Sequence, residues 1–534
     1  MTPDPSTQYW SCTRNWDDEL IYFLLIDRFS DGKERTIENM QSFTHKQSYK
    51  HVCGGNLKGI IQNLNYLKEL GATAIWISPI YENNSNSYHG YAIQDFLKVD
   101  SRFGTLDDLK SLVSEAHKLD IRVVLDVVIN HTGDNWYYQG NQYPTYSRGR
   151  IFQEGGWHYP DKPNPKELRN FNYYRKQGQI RQWDAYPETQ QGDFFSLKKL
   201  KLDDSAAGLE VQDLMIKIYS YWIKETDCDG FRLDTVKHAG RLPVSRFCDG
   251  IKKYCAEIGK SDFLIIGEIP MHYGEIKPFL ETCQLVKGGN SYGGLDTAFD
   301  FPLYFVLADV IKGRKSFSYV KECIQQNKTI FSEKRLVTFL DNHDQIGAEI
   351  KERIGAGLTN NMLTGALAIL LFLPGIPCIY YGTEQHLSGI GRGDEFLREP
   401  LFDPTGNASY LNKYSEIYKT LQDLTKIRIS CSAYLGGELF FNKQNDGFDS
   451  EKYEEHKEIF VFSRILEENQ LLVLFNQQNL EVVVNVELKV PVSKLSLVYN
   501  TGKVELELMC SKLGSSLFDL VKVILKPGEL VILK

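Results

Sequence analysis

The chain lacks several features that would each have indicated a function. Its 534 residues show no basic start followed by an apolar run, so no signal peptide is visible. Lys plus Arg number 61 against 69 Asp plus Glu, and the resulting formal charge of −8 argues against a nucleic-acid partner. The ten cysteines are scattered singly, with no CxxC pair and no metal-ligand spacing. We therefore expect reduced thiols in a cytoplasmic protein, with one or two disulfides in an exported form as the alternative.

A membrane-length apolar segment is missing as well. The most apolar stretch runs over residues 365–381 and is interrupted by Pro374 and Pro377, which favours a buried helix, a turn and a strand. Hydrophobic residues make up 42% and charged residues 24%, as in ordinary globular proteins. The 30 Tyr and 29 Phe are numerous enough that some of the rings are candidates for a binding surface.

Short, almost continuously apolar runs alternate with helical patterns over most of the chain. Runs of this kind are typical of parallel strands that are buried on both faces. Eight such β-then-α units predict a (β/α)8 TIM barrel, assigned to residues 1–131 and 206–435, with a doubly wound open sheet as the competing layout. The predicted strands are Ile21–Ile26, Ala74–Ile80, Ile121–Ile129, Gly230–Asp234, Phe263–Ile269, Thr297–Leu303, Leu336–Leu340 and Ile376–Tyr381.

Two segments break this alternation. Residues 132–205 are rich in Tyr, Trp, Gln, Asn and Gly with weak periodicity, which predicts an inserted domain after the third strand. Residues 436–534 contain short alternating strands and predict a C-terminal antiparallel β-sandwich domain. The rings of the insertion are candidate sugar platforms or packing residues; they are Trp136, Tyr137, Tyr138, Tyr143 and Trp157.

Acidic residues lie at the ends of three of the predicted barrel strands. They are Asp234 in GFRLDTVKH, Glu268 in LIIGEIP and Asp344 in VTFLDNHD. In barrel enzymes the reacting groups lie where strands end, and converging carboxylates acquire divergent pKa values. Two carboxyl groups of that kind are suited to hydrolysing a glycosidic bond. Asp126, at the end of the third strand, is interpreted as ordering the floor of this site, and Asp341 stays unassigned.

Four ordered motifs carry a family resemblance. DVVINH, GFRLDTVKH, IIGE and FLDNHD occur one per expected strand, and YHGY, GTEQ and the Asp394–Arg398 pair also match. The chain resembles the α-amylase family, glycoside hydrolase family 13, over about residues 17–430. The resemblance implies that Asp234 is the nucleophile, Glu268 the general acid and base, and Asp344 the third carboxylate.

The resemblance also implies a set of substrate-binding residues. Arg232 would keep the nucleophile ionised, Tyr91 would stack on the sugar, and His89 lies beside it. Hydrogen bonds to the sugar are implied for His131 and His343, contacts on the leaving side for Lys237 and His238, and further sugar contacts for Asp394 and Arg398.

Many members of the family hold calcium between the barrel and the insertion. Asn130 and the carbonyl of His238 match two of the ligands, whereas the best alignment places Lys201 where an Asp would be. An ammonium group could bridge the same oxygens, so we expect no required cofactor, with calcium as the open alternative through Asp203 or Asp204.

The expected function is a retaining hydrolase of α-1,4-glucans, maltooligosaccharides or cyclodextrins. Thr235, next to the nucleophile, favours α-1,4 over α-1,6 linkages by resemblance. A transglycosylase or α-glucosidase-type member is the alternative within the family, and a sugar-binding relative without catalysis or a metal-dependent barrel enzyme are the alternatives outside it. The substrate is the only partner expected, with neither nucleic acid nor membrane.

Overall fold

The computed structural model describes most of the chain. The described residues are 8–39, 50–84, 87–140, 142–160, 162–284, 291–332, 334–346, 348–431, 436–441, 444–445, 459–488, 495–502, 505–513 and 516–534.

Eight parallel strands form the core of the molecule. The strands lie side by side in chain order, the eighth pairs with the first, and a parallel bridge between Phe299 and Val337 joins the sixth to the seventh. The sheet is therefore a closed barrel, which confirms the predicted fold class and excludes the open sheet. The strands are β1 Ile21–Leu24, β2 Ala74–Ile77, β3 Arg122–Val127, β4 Gly230–Leu233, β5 Leu264–Gly267, β6 Thr297–Ala298, β7 Val337–Phe339 and β8 Ile376–Tyr380.

Helices follow each strand and cover the outside of the barrel. The helix Leu106–Lys118 is an example: the Thr105 side chain caps its first turn. Its apolar face, with Leu109, Leu112 and Val113, is buried. The main helices are Leu57–Gln62, Leu64–Leu70, Leu106–Lys118, Ala206–Thr226, Arg241–Glu257, Tyr273–Leu280, Phe301–Ile311, Ser318–Phe331, Asn360–Phe372 and Glu416–Ser430. Shorter helical turns are Trp16–Asp18, Ile26–Phe29, Lys166–Arg169, Phe171–Tyr173, Glu188–Gln191, Val236–Ala239, Thr383–Gln385 and Asp394–Phe396.

The sixth strand is much shorter than the run Thr297–Leu303 predicted. The strand ends at Ala298, and Asp300 accepts a hydrogen bond from the Leu303 backbone as the cap of the helix Phe301–Ile311. An apolar run does not distinguish a buried strand from a buried helix. Here the cap formed by Asp300 shows where the helix begins.

The insertion after β3 is closed at its base by a two-stranded ladder. His131–Thr132 pairs antiparallel with Lys198–Lys199, so the two ends of the insertion meet beside the carboxyl ends of the barrel strands. The remaining short strands of the barrel and insertion are Thr36–Ile37, Tyr81–Asn83, Ile93–Val99, Trp136–Tyr138, Glu154–Trp157, Cys283–Gln284, Ser291–Tyr292, Lys351–Glu352, Ile390–Gly391 and Ala408–Ser409.

The C-terminal strands form two antiparallel sheets. The strands are β9 Glu438–Phe441, β10 Gln444–Asn445, β11 Ile459–Leu466, β12 Asn469–Asn476, β13 Val482–Glu487, β14 Leu497–Asn500, β15 Glu505–Leu513, β16 Ser516–Leu525 and β17 Leu530–Leu533. One sheet has the order β9-β11-β12-β17-β14 and the other β10-β13-β16-β15.

The larger of these sheets is buried on both faces. In β11, Ile459 and Val461 belong to the core between the two sheets, whereas Phe460 and Phe462 belong to the core that continues into the barrel. This double burial explains why the strand reads as a continuous apolar run.

Two further predictions concern the thiols and the membrane. Nine of the ten cysteines are free thiols, namely Cys12, Cys53, Cys228, Cys248, Cys255, Cys283, Cys323, Cys378 and Cys431. No helix among the described residues has both the length and the apolar character needed to cross a membrane.

Candidate active site

Three carboxyl groups lie at the carboxyl end of the barrel, each placed by the end of a strand. Asp234 directly follows β4 and Glu268 directly follows β5, and each is only 5% exposed. Asp344 follows β7 in the DNHD loop, where its side chain is 30% exposed. The barrel therefore brings the three residues that the resemblance implied into one cleft.

Arg232 connects these carboxyl groups. Its Nη1 donates to Asp234 Oδ1 over 2.7 Å and to Asp126 Oδ1 over 2.9 Å, and its Nη2 lies 2.9 Å from Glu268 Oε1. The guanidinium is 1% exposed, so its charge acts in a region of low dielectric constant. The guanidinium group of Arg232 thus holds together Asp234, the candidate nucleophile, and Glu268, the candidate acid.

Glu268 has the electrostatic character of a general acid. Burial raises its pKa to about 8, and although Arg232 opposes this shift, the Asp234 and Asp344 carboxylates reinforce it. Its Oε2 accepts the backbone N–H of Thr235 over 2.9 Å. Thr235 adopts φ +49°, which is strained for a β-branched residue and aims that N–H at Glu268.

Asp344 has the opposite character. Burial alone would raise its pKa, but His343 and the guanidinium groups of Arg398 and Arg232 lower the pKa below its usual range. Arg398 Nη2 lies 2.6 Å from Asp344 Oδ1 and 3.2 Å from Asp394 Oδ2. The pKa values of two carboxyl groups in one cleft are therefore shifted in opposite directions, that of Glu268 upward and that of Asp344 downward.

Asp126 supports the site from within. It is fully buried, and besides Arg232 it accepts hydrogen bonds from Trp76 Nε1 over 3.1 Å and from the Tyr91 hydroxyl over 2.8 Å. His343 Nε2 lies 2.9 Å from the same hydroxyl. These contacts agree with the interpretation of Asp126 as a residue that orders the floor.

The histidines of the cleft are neutral hydrogen-bonding groups. Burial lowers the pKa of His89 and of His343 to about 3, and that of His131 to about 4. His89 Nδ1 accepts the Tyr91 N–H over 3.0 Å, and His131 Nε2 donates to the Tyr91 carbonyl over 3.2 Å. Neutral imidazoles beside a half-buried tyrosine ring suit an uncharged polyol ligand.

The residues for which the resemblance implied contacts on the leaving side lie in the turn after β4, where the insertion packs against them. Lys237 is ion-paired with Asp184, and His238 Nδ1 donates to the Thr189 carbonyl over 2.9 Å. Burial lowers the pKa of His238 to about 3, and its ring packs edge-on against Phe194 at 4.4 Å.

Three of the five rings that the sequence suggested in the insertion are packed, whereas Tyr143 is 45% exposed. Trp136 and Tyr138 are buried in the insertion, and Trp157 stacks on Phe171 at 4.2 Å, so these three rings pack rather than face a ligand. The sequence analysis missed Phe195, which is 69% exposed with φ +54°. Its ring lies 5.4 Å from that of Trp183, and no periodicity marks either residue.

The lysine beside the predicted calcium ligands is Lys199, not Lys201. Lys199 Nζ donates to Asn130 Oδ1 and, over 2.9 Å, to the His238 carbonyl oxygen. The prediction that Lys201 occupies the position of the calcium-binding Asp is therefore wrong by two residues. In the ladder at the base of the insertion, Lys199 and not Lys201 pairs with His131.

Comparisons with known proteins agree with this geometry. The family model described as "Alpha amylase, catalytic domain" matches residues 23–458. A beta/alpha-amylase of Paenibacillus polymyxa is 29% identical over 483 residues, covering 88% of this chain and 35% of the relative. A cyclomaltodextrin glucanotransferase of Klebsiella oxytoca is 29% identical over 452 residues, covering 76% of this chain and 64% of the relative. Among solved structures, the α-amylase of Geobacillus thermoleovorans complexed with acarbose has a TM-score of 0.70 at 27% identity, covering 98% of this chain and 99% of that one.

The closed barrel, the carboxyl groups at the ends of its strands and the matching family model together define the class of protein. The chain belongs to the α-amylase family. It spans between about a third and two thirds of the length of the two curated relatives named above.

Proposed function

We propose that the protein is a retaining glycoside hydrolase of α-1,4-linked glucans or maltooligosaccharides. The observation that carries the proposal is the Arg232 bridge between Asp234 and Glu268, together with the raised pKa of Glu268. Carboxyl groups about 5 Å apart serve the retaining reaction, whereas the inverting reaction needs a wider gap for water. Contacts to neighbouring nitrogens of one guanidinium favour the shorter separation.

The proposed reaction has two displacements at the anomeric carbon. Glu268 gives its proton to the leaving glycosidic oxygen while an Asp234 oxygen attacks the carbon, so that a glycosyl ester forms as the old bond breaks. Glu268 then takes a proton from water, whose oxygen displaces Asp234 and restores the original anomeric configuration. Asp344, held ionised by Arg398, would accept hydrogen bonds from substrate hydroxyls.

The substrate class follows from the lining of the cleft. Tyr91 offers a ring face, and His343 is a neutral polar ring whose Nδ1 is buried without a protein partner. Sugars combine apolar ring faces with many hydroxyls, so this lining suits them. Thr235 after the nucleophile supports α-1,4 linkages by resemblance.

A second candidate is transfer of the glucosyl unit to a sugar acceptor. The exposed Phe195 ring on the leaving side supports it, because an apolar face binds a second sugar and disfavours water. The glucanotransferase named above is a relative whose printed name describes such a transfer.

Product analysis tests both candidates. The protein is incubated with amylose, maltotriose, cyclodextrin, pullulan and sucrose, and the products are followed by proton NMR from the first turnover. Products that appear first as the α-anomer from the α-1,4 substrates support the proposal, whereas β-anomers contradict the retaining reaction. Oligosaccharides longer than the substrate indicate transfer.

The nucleophile assignment has its own variant pair. Asp234→Asn is expected to lose at least about a thousandfold in kcat, because the amide cannot attack. Asp213→Asn, which removes an exposed carboxylate paired with Arg246, is the matched control and should keep full activity. Full activity of Asp234→Asn with an unchanged circular dichroism spectrum would remove the assignment.

A further inference from the structure

The base of the insertion contains a lysine in an unusual environment. Lys199 is 1% exposed, and its Nζ donates to an amide oxygen, Asn130 Oδ1, and to the carbonyl oxygen of His238. Its neighbour Lys198 differs, because it is paired with the Asp134 carboxylate over 2.7 Å. A buried amine costs free energy, so its retention between barrel and insertion calls for a structural reason.

The oxygens that Lys199 contacts are the two calcium ligands implied by the family resemblance. Calcium takes six to eight oxygen ligands at about 2.3–2.6 Å, many of them carboxylates. Here the Nζ atom itself stands within hydrogen-bonding distance of both oxygens, so a metal ion cannot approach them. The residues present therefore do not fit calcium at this position.

Nearby carboxylates offer no replacement ligand. Asp193 accepts the Tyr138 hydroxyl and the Lys199 backbone N–H, and Asp203 is paired with Arg175 over 3.0 Å. Asp204 is exposed to solvent. Within the described ranges of the chain, no group of three or more His, Cys, Asp or Glu side chains is arranged to hold a metal ion.

Lys199 also reaches the substrate-binding histidines through Asn130. Donation to Oδ1 fixes the orientation of the Asn130 amide, so that its Nδ2 faces His131 Nδ1 over 3.2 Å. His131 Nδ1 then accepts, and its Nε2 carries the proton that it donates to Tyr91. The lysine, acting through Asn130, thereby supports the same protonated nitrogen of His131 that the Tyr91 carbonyl oxygen requires, as partners of metal-bound histidines do elsewhere.

We infer that Lys199 replaces a divalent cation as the tie between insertion and barrel, and that it positions His131 and His238 without any metal at that place. Lys199 is thus a positioning residue. The inference rests on the contacts of Nζ and not on the proposed hydrolysis, since its first readout is thermal stability.

The test compares wild type, Lys199→Asp and Lys201→Asp in calcium and in a chelator. Lys199→Asp supplies the missing carboxylate next to Asn130, so calcium should raise its melting temperature by several degrees and restore its kcat. Wild type and Lys201→Asp should show the same melting temperature and kcat in both solutions. Lys201→Asp is the matched control because its backbone lies two residues along the same segment.

Two outcomes would overturn the inference. One is a wild-type melting temperature and kcat that fall on chelation and return with calcium but not with magnesium. The other is a folded Lys199→Asp that calcium leaves unchanged.

A second variant decides the matter if Lys199→Asp does not fold. Lys199→Met keeps the apolar stem and removes the donors, so kcat should fall at least tenfold well below the melting temperature, with no rescue by calcium. Lys198→Met makes a change of the same size at a neighbouring buried lysine that does not contact Asn130. Its kcat should fall less than threefold. Equal kcat values for Lys199→Met and wild type would refute the positioning role.

Discussion

At the scale of single residues, the cleft separates the protonation states of similar groups. Glu268 and Asp344 are both carboxylic acids near Arg232, yet burial raises the pKa of one while Arg398 helps to lower that of the other. The position of each acid at a strand end could be predicted from sequence. The divergence of their pKa values could not be predicted, because it depends on which guanidinium group faces which carboxylate oxygen.

The raised pKa of Glu268 predicts a basic limb in the pH profile. The acid must be protonated to release the leaving group, so activity is present below the pKa and lost as pH rises through it. We expect kcat/KM for maltooligosaccharides to fall with an apparent pKa near 8, tenfold per pH unit beyond.

Glu268→Gln provides the control for this profile. The amide retains the size of the side chain but cannot donate an acidic proton, so the residual activity should show no basic limb near pH 8. If the basic limb persists unchanged in Glu268→Gln, a group other than Glu268 causes it.

Lys351 is a residue that the sequence analysis did not single out. Its Nζ contacts both Asp394 Oδ1 and the Asp344 carbonyl oxygen, so it joins a substrate-binding candidate to a catalytic one. We expect Lys351→Met to lower kcat/KM about tenfold or more, since small displacements of catalytic groups are costly. Lys426→Met, at an exposed surface pair with Asp423, should leave kcat/KM unchanged. Equal values for both variants would show that Arg398 alone is enough to position these carboxylates.

At the scale of elements, the sequence predicted the barrel strands well and the insertion poorly. Barrel strands are buried on both faces, so they appear as apolar runs with a clear start and end. The insertion has short ladders and turns, and its rings divide between core and surface without a period. Trp136 and Phe195 illustrate this, since the suggested ring is buried and the overlooked one is exposed.

The two-residue error at Lys201 has a related cause. LKKLKLDD contains three lysines in four positions, so composition cannot decide which of them faces Asn130. Only the pairing of Lys199 with His131 in the ladder fixes the register.

The exposed ring of Phe195 yields a prediction about product ratios. Phe195→Ala removes an apolar face beside Trp183 and admits water to the leaving side. We expect the ratio of transfer to hydrolysis products from maltotriose to fall several-fold, with total turnover changed less. Tyr414→Ala, which removes another strongly exposed ring, is the control and should leave the ratio unchanged. An unchanged ratio of transfer to hydrolysis products in Phe195→Ala would show that this ring does not bind the acceptor sugar.

At the scale of the whole molecule, the C-terminal domain is packed against the barrel rather than merely attached. Gln477 Nε2 donates to the carbonyl oxygens of Val310 and Ile311 at the end of a barrel helix, and Arg464 Nη1 donates to Phe372 O over 3.2 Å. Because one hydrophobic core runs through both, unfolding of the C-terminal domain should expose barrel surface as well.

Gly365 lies at the centre of this contact and permits a test. It belongs to the helix Asn360–Phe372, and a Cβ at this position would overlap the Phe475 ring of β12. Gly365→Ala should therefore destabilise the protein by about 1–3 kcal/mol, although alanine is the better helix former. Gly274→Ala, in the helix Tyr273–Leu280 with nothing near the new methyl group, is the matched control and should be neutral or slightly stabilising. A lower melting temperature for Gly365→Ala, in a single transition seen by both tryptophan fluorescence and circular dichroism, would establish barrel and β-sandwich as one cooperative unit. Two separate transitions, with only one of them shifted, would mean that each part folds alone.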